Sequence, residues 1–279
     1  MGTSTMERAT EKAPRRWLSL SLRRSMLVVF CFGLWLGWRV HLARQQQRDV
    51  ADIAASGNFV LYDWEYVGGK RVEGGRPRGP GWLRRAIGDE HFQHVVEINM
   101  TYGGDPRNRA VETPLEADKL AAILTANPTL RHLHLPGELA TDRVMAAVGG
   151  LRSLETLKIY GAGVTEAGLA NVRGLRNLKI LQVREAGLGD DALASLVPLV
   201  RLEHLDVGNN PITDAGMIHL KGLKSLEFLN IDSTKVTDAG MDELRGLVNL
   251  KEVWVPDPIV SDERIGRFYE EMPNLHTIR

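Results

Sequence analysis

The 279-residue chain has a single cysteine, Cys31. One thiol excludes an intramolecular disulfide framework and any multi-cysteine metal site. The residues before it, Val28-Val29-Phe30, are too bulky for a bacterial lipoprotein cleavage site, so Cys31 reads as an apolar filler. Net charge is also missing: 35 Lys and Arg balance 35 Asp and Glu. The balance hides a split. Residues 1–48 hold nine basic and two acidic residues, and the remainder holds 26 basic against 33 acidic. A basic end on an acidic body points to a membrane-facing end rather than a nucleic-acid binder. A phosphate loop is lacking as well. Gly68-Gly69-Lys70 superficially suggests one, but Lys70 is followed by Arg71 and residue 64 is not glycine. The Gly/Pro/Arg-rich stretch to Gly81 therefore reads as a plain loop.

What the chain does have is a period. Leucines stand at 130, 154, 178, 202, 226 and 250, in steps of 24, and then at 275. Each opens a phrase apolar at positions 1, 4 and 6, as in Leu202-Leu205-Val207. Such a period marks a solenoid whose units bury their apolar side against their neighbours. Positions 4 and 6 alternate with polar residues, which predicts a short strand with one buried face. A second phrase follows: Val164-Thr165-Glu166-Ala167-Gly168-Leu169, Ile212-Thr213-Asp214-Ala215-Gly216-Met217 and Val236-Thr237-Asp238-Ala239-Gly240-Met241. Thr165, Thr213, Thr237 and Ser261 sit where helix N-caps belong, each followed by an acid that the helix dipole favours. Met217, Leu220 and Leu223 form a helical stripe. Gly174, Gly222 and Gly246 fall near the helix ends, where left-handed residues are cheap.

Strand, turn, short helix and loop make one unit, and the phrase L-x-x-L-x-L-x-x-N identifies it as resembling the leucine-rich repeat. It is complete once, from Leu202 to Asn210, with Val207 at the third apolar site. Ala162, Ala186 and Thr234 replace the asparagine elsewhere, so the family's asparagine ladder is mostly missing. The V-T-D-A-G-L wording resembles membrane-anchored leucine-rich-repeat proteins of planctomycete-type bacteria, and similar wording occurs in F-box-linked repeats. The resemblance implies an α/β, right-handed solenoid with a parallel inner sheet and short outer helices. It also implies binding through the inner face rather than catalysis, with no cofactor.

At the amino end, Met26 to Trp38 is an uninterrupted apolar run. Ser25 and Val40–Ala43 extend it toward the ~30 Å of a hydrocarbon core. Arg23, Arg24 and Arg39 can snorkel, and Trp35 and Trp38 suit an interface. An uncleaved signal-anchor over 25–43 is the expected reading. A cleaved signal peptide is the second, but its cleavage site would put His41 at −3. A buried soluble helix is the third, but the run has no polar stripe. Six Lys/Arg precede the run within about 20 residues and three follow it, which favours a cytoplasmic tail at 1–24 and an external, periplasmic-side repeat domain. Residues 44–80 read as a juxtamembrane stalk and Gly/Pro-rich loop, with a strand at Asn58–Tyr62. Residues 81–128 read as the solenoid's amino cap, with a helix at Trp82–Phe92 and a strand at Val95–Met100. The repeats occupy 129–279. Asn99-Met100-Thr101 fits a glycosylation sequon to which little weight attaches on a bacterial strand.

Period two also lays out the inner face. Its left column is His132, Thr156, Ile180, His204, Phe228 and Glu252. Its central column is His134, Lys158, Gln182, Asp206, Asn230 and Trp254. Its right column is Pro136, Tyr160, Arg184, Gly208, Asp232 and Pro256. His132 and His134 share a strand face, but His204 is three strands off, about 14 Å, too far to complete a metal site. His204 and Asp206 resemble a base with its orienter, but no Ser, Cys or Thr nucleophile lies within reach. His91 and His94 read as cap surface. A mixed surface remains, basic or imidazole-bearing early and acidic late. A protein or peptide partner is expected at His134, Lys158, Tyr160, Gln182, Arg184, Asp206, Phe228, Asn230, Asp232 and Trp254. A lipid bilayer is expected at 25–43. The competing expectations are a structural cell-envelope protein touching itself or wall polymer, and a substrate-recognition subunit of the F-box-linked kind. No F-box-like helical domain reads in the region before the repeats.

Overall fold

The structure, a computed structural model, describes residues 22–67, 70–71, 76–77, 81, 84–85, 88–89, 93–100, 115–272 and 274–278. The basic tail up to residue 21, most of the Gly/Pro-rich loop, most of the expected 82–92 helix, His91 and the sequon's Thr101 lie outside the described residues. Two compact units divide the chain, Met1–Ala43 and Arg44–Arg279.

In the first unit the apolar run is helical, as part of α1 (Leu22–Ala55). Met26, Leu27, Val28, Val29, Phe30, Phe32, Leu34, Trp35 and Trp38 are all exposed on it. Among the described residues α1 is the one helix long and apolar enough to cross a membrane. From Ser25 to Ala43 it rises ~28 Å at ~1.5 Å per residue, close to the hydrocarbon thickness.

The second unit is a leucine-rich-repeat solenoid. Its sheet takes β1 (Phe59–Tyr62), β4 (Val95–Asn99), β5 (His132–Pro136), β6 (Thr156–Tyr160), β7 (Ile180–Arg184), β8 (His204–Asp206), β9 (Phe228–Asn230), β10 (Glu252–Trp254) and β11 (Thr277–Ile278), in that order. From β4 onward every pairing is parallel. The 24-residue step is the register itself: Leu133, Leu157, Leu181, Leu205, Leu229 and Val253 lie in line across six strands. All six are buried, as are the opening leucines. Slipping any strand by one residue would turn this row to solvent, so the leucine pattern and the register enforce each other.

The second phrase joins one repeat to the next. Thr165, Thr213, Thr237 and Ser261 cap the short helices α4 (Glu166–Leu169), α6 (Asp214–Met217), α7 (Asp238–Asp242) and α8 (Asp262–Glu271). Thr141 caps α3 (Asp142–Val148) in the same way. The acids Asp142, Glu166, Asp190, Asp214 and Asp238, each opening a helix, reach forward to the cap position of the next repeat. Asp190, which opens α5 (Asp190–Ala194), accepts from Thr213 N–H at 2.8 Å and Oγ1–H at 2.7 Å, and Asp238 accepts from Ser261 N–H and Oγ–H in the same way. Gly168, Gly216 and Gly240 make room for this reach, because a Cβ at each would collide with Asp142, Asp190 or Asp214. The T-D-A-G wording is thus a joint: the threonine caps, the acid grips the following repeat and the glycine admits the preceding acid.

The expectation about glycine changes. Gly174, Gly222 and Gly246 are not left-handed. A Cβ at Gly174 would collide with Arg152 of the preceding repeat, and the Gly246 carbonyl accepts from Lys224 Nζ at 2.8 Å. The left-handed position is instead the one after the strand, held by Gly161, Glu185, Asn209 and Ser233 at φ of 88°, 55°, 57° and 55°.

The caps close both ends of the buried row. At the amino side β1 runs antiparallel to β4. The segment read as a stalk contributes to this cap, since Ile53 and Leu61 are buried with Leu120, Ile123 and Leu124 of α2 (Ala117–Ala126). Lys119 pairs with Asp52 at 2.8 Å. Lys70 lies in a small hairpin, β2 (Tyr66–Val67) against β3 (Lys70–Arg71). At the carboxyl side the buried guanidinium of Arg264 contacts Asp242 at 2.8 Å and Glu271 at 3.1 Å, and lies 5.1 Å over the Phe268 ring. Contacts with two carboxylates and a ring face are what make a buried arginine tolerable there.

Candidate functional site

The inner face is built by residues that alternate with the buried row. Parallel register places Glu97, His132, Thr156, Ile180, His204, Phe228 and Glu252 in one column. It places Asn99, His134, Lys158, Gln182, Asp206, Asn230 and Trp254 in the next. The face therefore begins one strand earlier than the leucine period reaches, with Glu97 and Asn99. The third column is shorter. Pro136, Tyr160 and Arg184 pair across β5 to β7. Gly208, Asp232 and Pro256 fall in the turns after three-residue strands, and Pro256 is buried.

At the middle of the face lies an open depression of about 220 Å³, lined by Lys158, Ile180, Gln182, His204, Asp206 and Phe228. One side is aromatic. The His204 and Phe228 rings lie 5.8 Å apart, and Phe228 meets Trp254 edge-on at 5.9 Å. Consecutive strands thus carry a row of three rings, held at one end by Trp254 Nε1–H donating to Glu252 Oε1 at 2.7 Å. The other side is polar. Tyr160, 42% exposed, donates its hydroxyl to Gln182 Oε1 at 3.2 Å.

Two residues expected on this surface are withdrawn from it. Asp206 is only 5% exposed and Asn230 is fully buried. Asp206 accepts from Gly208 N–H at 3.2 Å and pairs with Arg184 at 3.4 Å. Asn230 Oδ1 accepts from Asp232 N–H at 2.9 Å. Both fold back onto the turn that follows their own strand, a local bond open to Asp and Asn and closed to Lys or Gln of the same column. Asp232 is half-buried in that turn.

The histidines also differ from a basic cluster. His134 Nδ1 faces Asn99 Nδ2 at 3.0 Å, and the amide nitrogen can only donate, so with this pairing the ring proton sits on Nε2. Burial first, then Lys158 and His132, lower the His134 pKa to about 4. His132 contacts Thr156 Oγ1 at 3.0 Å and is lowered by burial, against the pull of Glu155. Both rings are neutral at pH 7, and Arg184 is matched by Asp206. Among the described residues Lys158 is the cation that remains at the early part of the face, so the expected basic-to-acidic gradient is much flatter than residue types alone imply.

The outlying candidates separate. His204 stacks on Phe228 while Asp206 turns to Arg184, so the two do not form a base with its orienter. Among the described residues no three His, Cys, Asp or Glu side chains gather as a metal-ligand set. Chemically, the depression offers ring faces, the Ile180 side chain, one amide, one ammonium and, largely buried at its lining, the Asp206 carboxylate, the inventory of a recognition surface.

A leucine-rich-repeat family model matches residues 202–220, the repeat whose consensus is complete. No curated protein sequence matches the chain. Among solved structures, the chain is similar to an internalin C2 from Listeria monocytogenes at 27% identity, over 56% of this chain and 64% of that one, with a TM-score of 0.45. It is also similar to an internalin (inlF) from the same organism at 20% identity, over 56% of this chain and 43% of that one, with a TM-score of 0.44. The chain therefore spans less than two thirds of either internalin.

Proposed function

We propose that the chain is a non-catalytic, membrane-anchored leucine-rich-repeat module that binds a protein through its inner sheet face. The observation carrying this reading is the depression at the centre of that face, with the His204–Phe228–Trp254 ring row on one side and Lys158, Tyr160 and Gln182 on the other. Aromatic anchors beside a few oriented polar groups are where binding energy concentrates. Arg184, Asp206, Asn230 and Asp232 act behind this surface by holding the turns, and His134 contributes a neutral ring. Anchoring rests on the apolar part of α1, and the arginine excess before it orients the amino end to the cytoplasm and the repeats outward.

A photo-crosslinking amino acid at Gln182 in the full chain tests the face in intact cells, with the same group at exposed Arg267 of α8 as the control. Discrete protein adducts from 182 that weaken with Phe228→Ala and Trp254→Ala are expected. Adducts from 267 alone would move the partner to the helical side and refute the assignment.

A further inference from the structure

The parallel sheet brings every segment leading into a repeat strand to one edge and every segment leaving a strand to the other. The five in-step leading segments are 149–155, 173–179, 197–203, 221–227 and 245–251, and they hold nine Lys/Arg against three Glu. The five leaving segments are 161–167, 185–191, 209–215, 233–239 and 257–263, and they hold nine Asp/Glu against one Lys. A chain with no net charge is thus folded into a solenoid with one basic and one acidic edge.

The basic edge has a second property. One of its repeat positions holds only Arg, Lys or Val, reading Arg152, Arg176, Val200, Lys224, Val248; a second holds them after its first member, reading Gly149, Arg173, Val197, Lys221, Arg245. All but Gly149 are exposed, the valines by 45% at 197, 56% at 200 and 60% at 248. Lys221 and Arg245 are paired with Glu243 and Glu271, whereas Arg152, Arg173, Arg176 and Lys224 have no carboxylate partner among the described residues.

Aliphatic side chains spaced between unpaired cations fit one class of surface better than others. A nucleic acid or acidic polymer would meet the cations and leave the valines in water. An anionic bilayer satisfies both, with headgroup phosphates for the cations and the acyl boundary for the valines. The acidic edge is repelled by the same surface, which sets the direction of approach. The anchoring proposed above for the apolar helix would bring the protein to a bilayer. We infer that the leading edge of the repeats docks on anionic phospholipid, independently of what the inner face binds.

The test uses the full chain with Cys31→Ser, labelled with an environment-sensitive dye at Ser153→Cys on the basic edge or at Ala239→Cys on the acidic edge. Vesicles are brominated phosphatidylcholine, alone or mixed with phosphatidylglycerol. Quenching at 153 that appears with phosphatidylglycerol, fades with salt and drops to the level of 239 in Arg176→Glu/Lys224→Glu supports the proposal. Val200→Asn/Val248→Asn should reduce it while leaving the label at 239 unchanged. Equal quenching at both positions, or quenching at 153 indifferent to phosphatidylglycerol and to charge reversal, overturns it. So does protection of the 153 label by polyglutamate or an oligonucleotide but not by anionic lipid. Flotation on phosphatidylcholine alone reports the apolar helix separately: its failure speaks against anchoring, and the anionic arm still reads the edge.

Discussion

Asp214 holds Thr237 twice, accepting from its backbone N–H and from its hydroxyl, each at 2.7 Å, and takes a third bond from Gly240 N–H at 3.0 Å. The same threonine oxygen accepts from Ala239 N–H at 3.3 Å, so one side chain caps its helix while being gripped by the repeat before. Asp214→Ala should destabilise the protein by about 2 kcal/mol, since charge-assisted bonds and a cap are weakened together. Asp214→Asn should cost less, because the amide can still accept from one N–H. Urea denaturation of the two variants gives the order, and equal costs would show that the oxygen retained in asparagine contributes nothing.

The lowered pKa of His134 makes a signed prediction. Its folded pKa of about 4 lies below the ordinary 6.5, so the unfolded chain binds the proton more readily. This contribution to stability is complete above the unfolded value and is lost as pH falls from about 6.5 towards about 4. His134→Gln should flatten the loss of stability in that window. An NMR titration of the His134 ring should show a midpoint of about 4, well below the ordinary imidazole value.

Glu185 and Ser233 occupy the left-handed turn position that Gly161 occupies without strain. Glycine there relieves about 1–2 kcal/mol of steric cost and adds back about 0.5–1 of chain entropy. Glu185→Gly and Ser233→Gly should each raise stability by about 0.5–1 kcal/mol. Asn209→Gly should give less, because asparagine tolerates this conformation. A rise in the urea midpoint at 185 and 233 and little change at 209 is the expected series.

Asn210 is buried and donates to the carbonyls of Val183 and Val207 while accepting from the amides of Ala186 and Leu188. Asn210→Ala would leave these groups without partners, at a cost of about 3 kcal/mol. Ala162 and Ala186 stand at the equivalent position of other repeats, so the loss should be confined to one joint. Hydrogen exchange should quicken first at Ala186 and Leu188.

The strand grid was legible because two periods, 2 and 24, act on the same leucines and leave one register that buries them all. The caps at Thr165, Thr213, Thr237 and Ser261 were legible because a cap and its helix are neighbours in sequence. The grip of Asp190 on Thr213 was not, since the acid's nearest chain neighbours already explain it as a dipole partner. Only the stacking distance shows that it serves the next repeat. Asp206 and Asn230 misled for a related reason. Alternation places them on the face, but it is silent on whether a short polar side chain turns back to its own turn. The His134 neutrality depends on Asn99, 35 residues earlier and outside the leucine period.

The reversal of β1 has a consequence for how such an array can change. A parallel neighbour to β4 is foreclosed on that side by a strand of opposite direction, and displacing it would sever the pairing of Phe59–Tyr62 and unseat Leu61. Duplication at the amino side therefore breaks a finished boundary, while a 24-residue copy spliced between two internal joints meets an acid behind it and a threonine ahead. Lengthening belongs to the interior, and the reach of the binding face can grow there without either terminus being rebuilt.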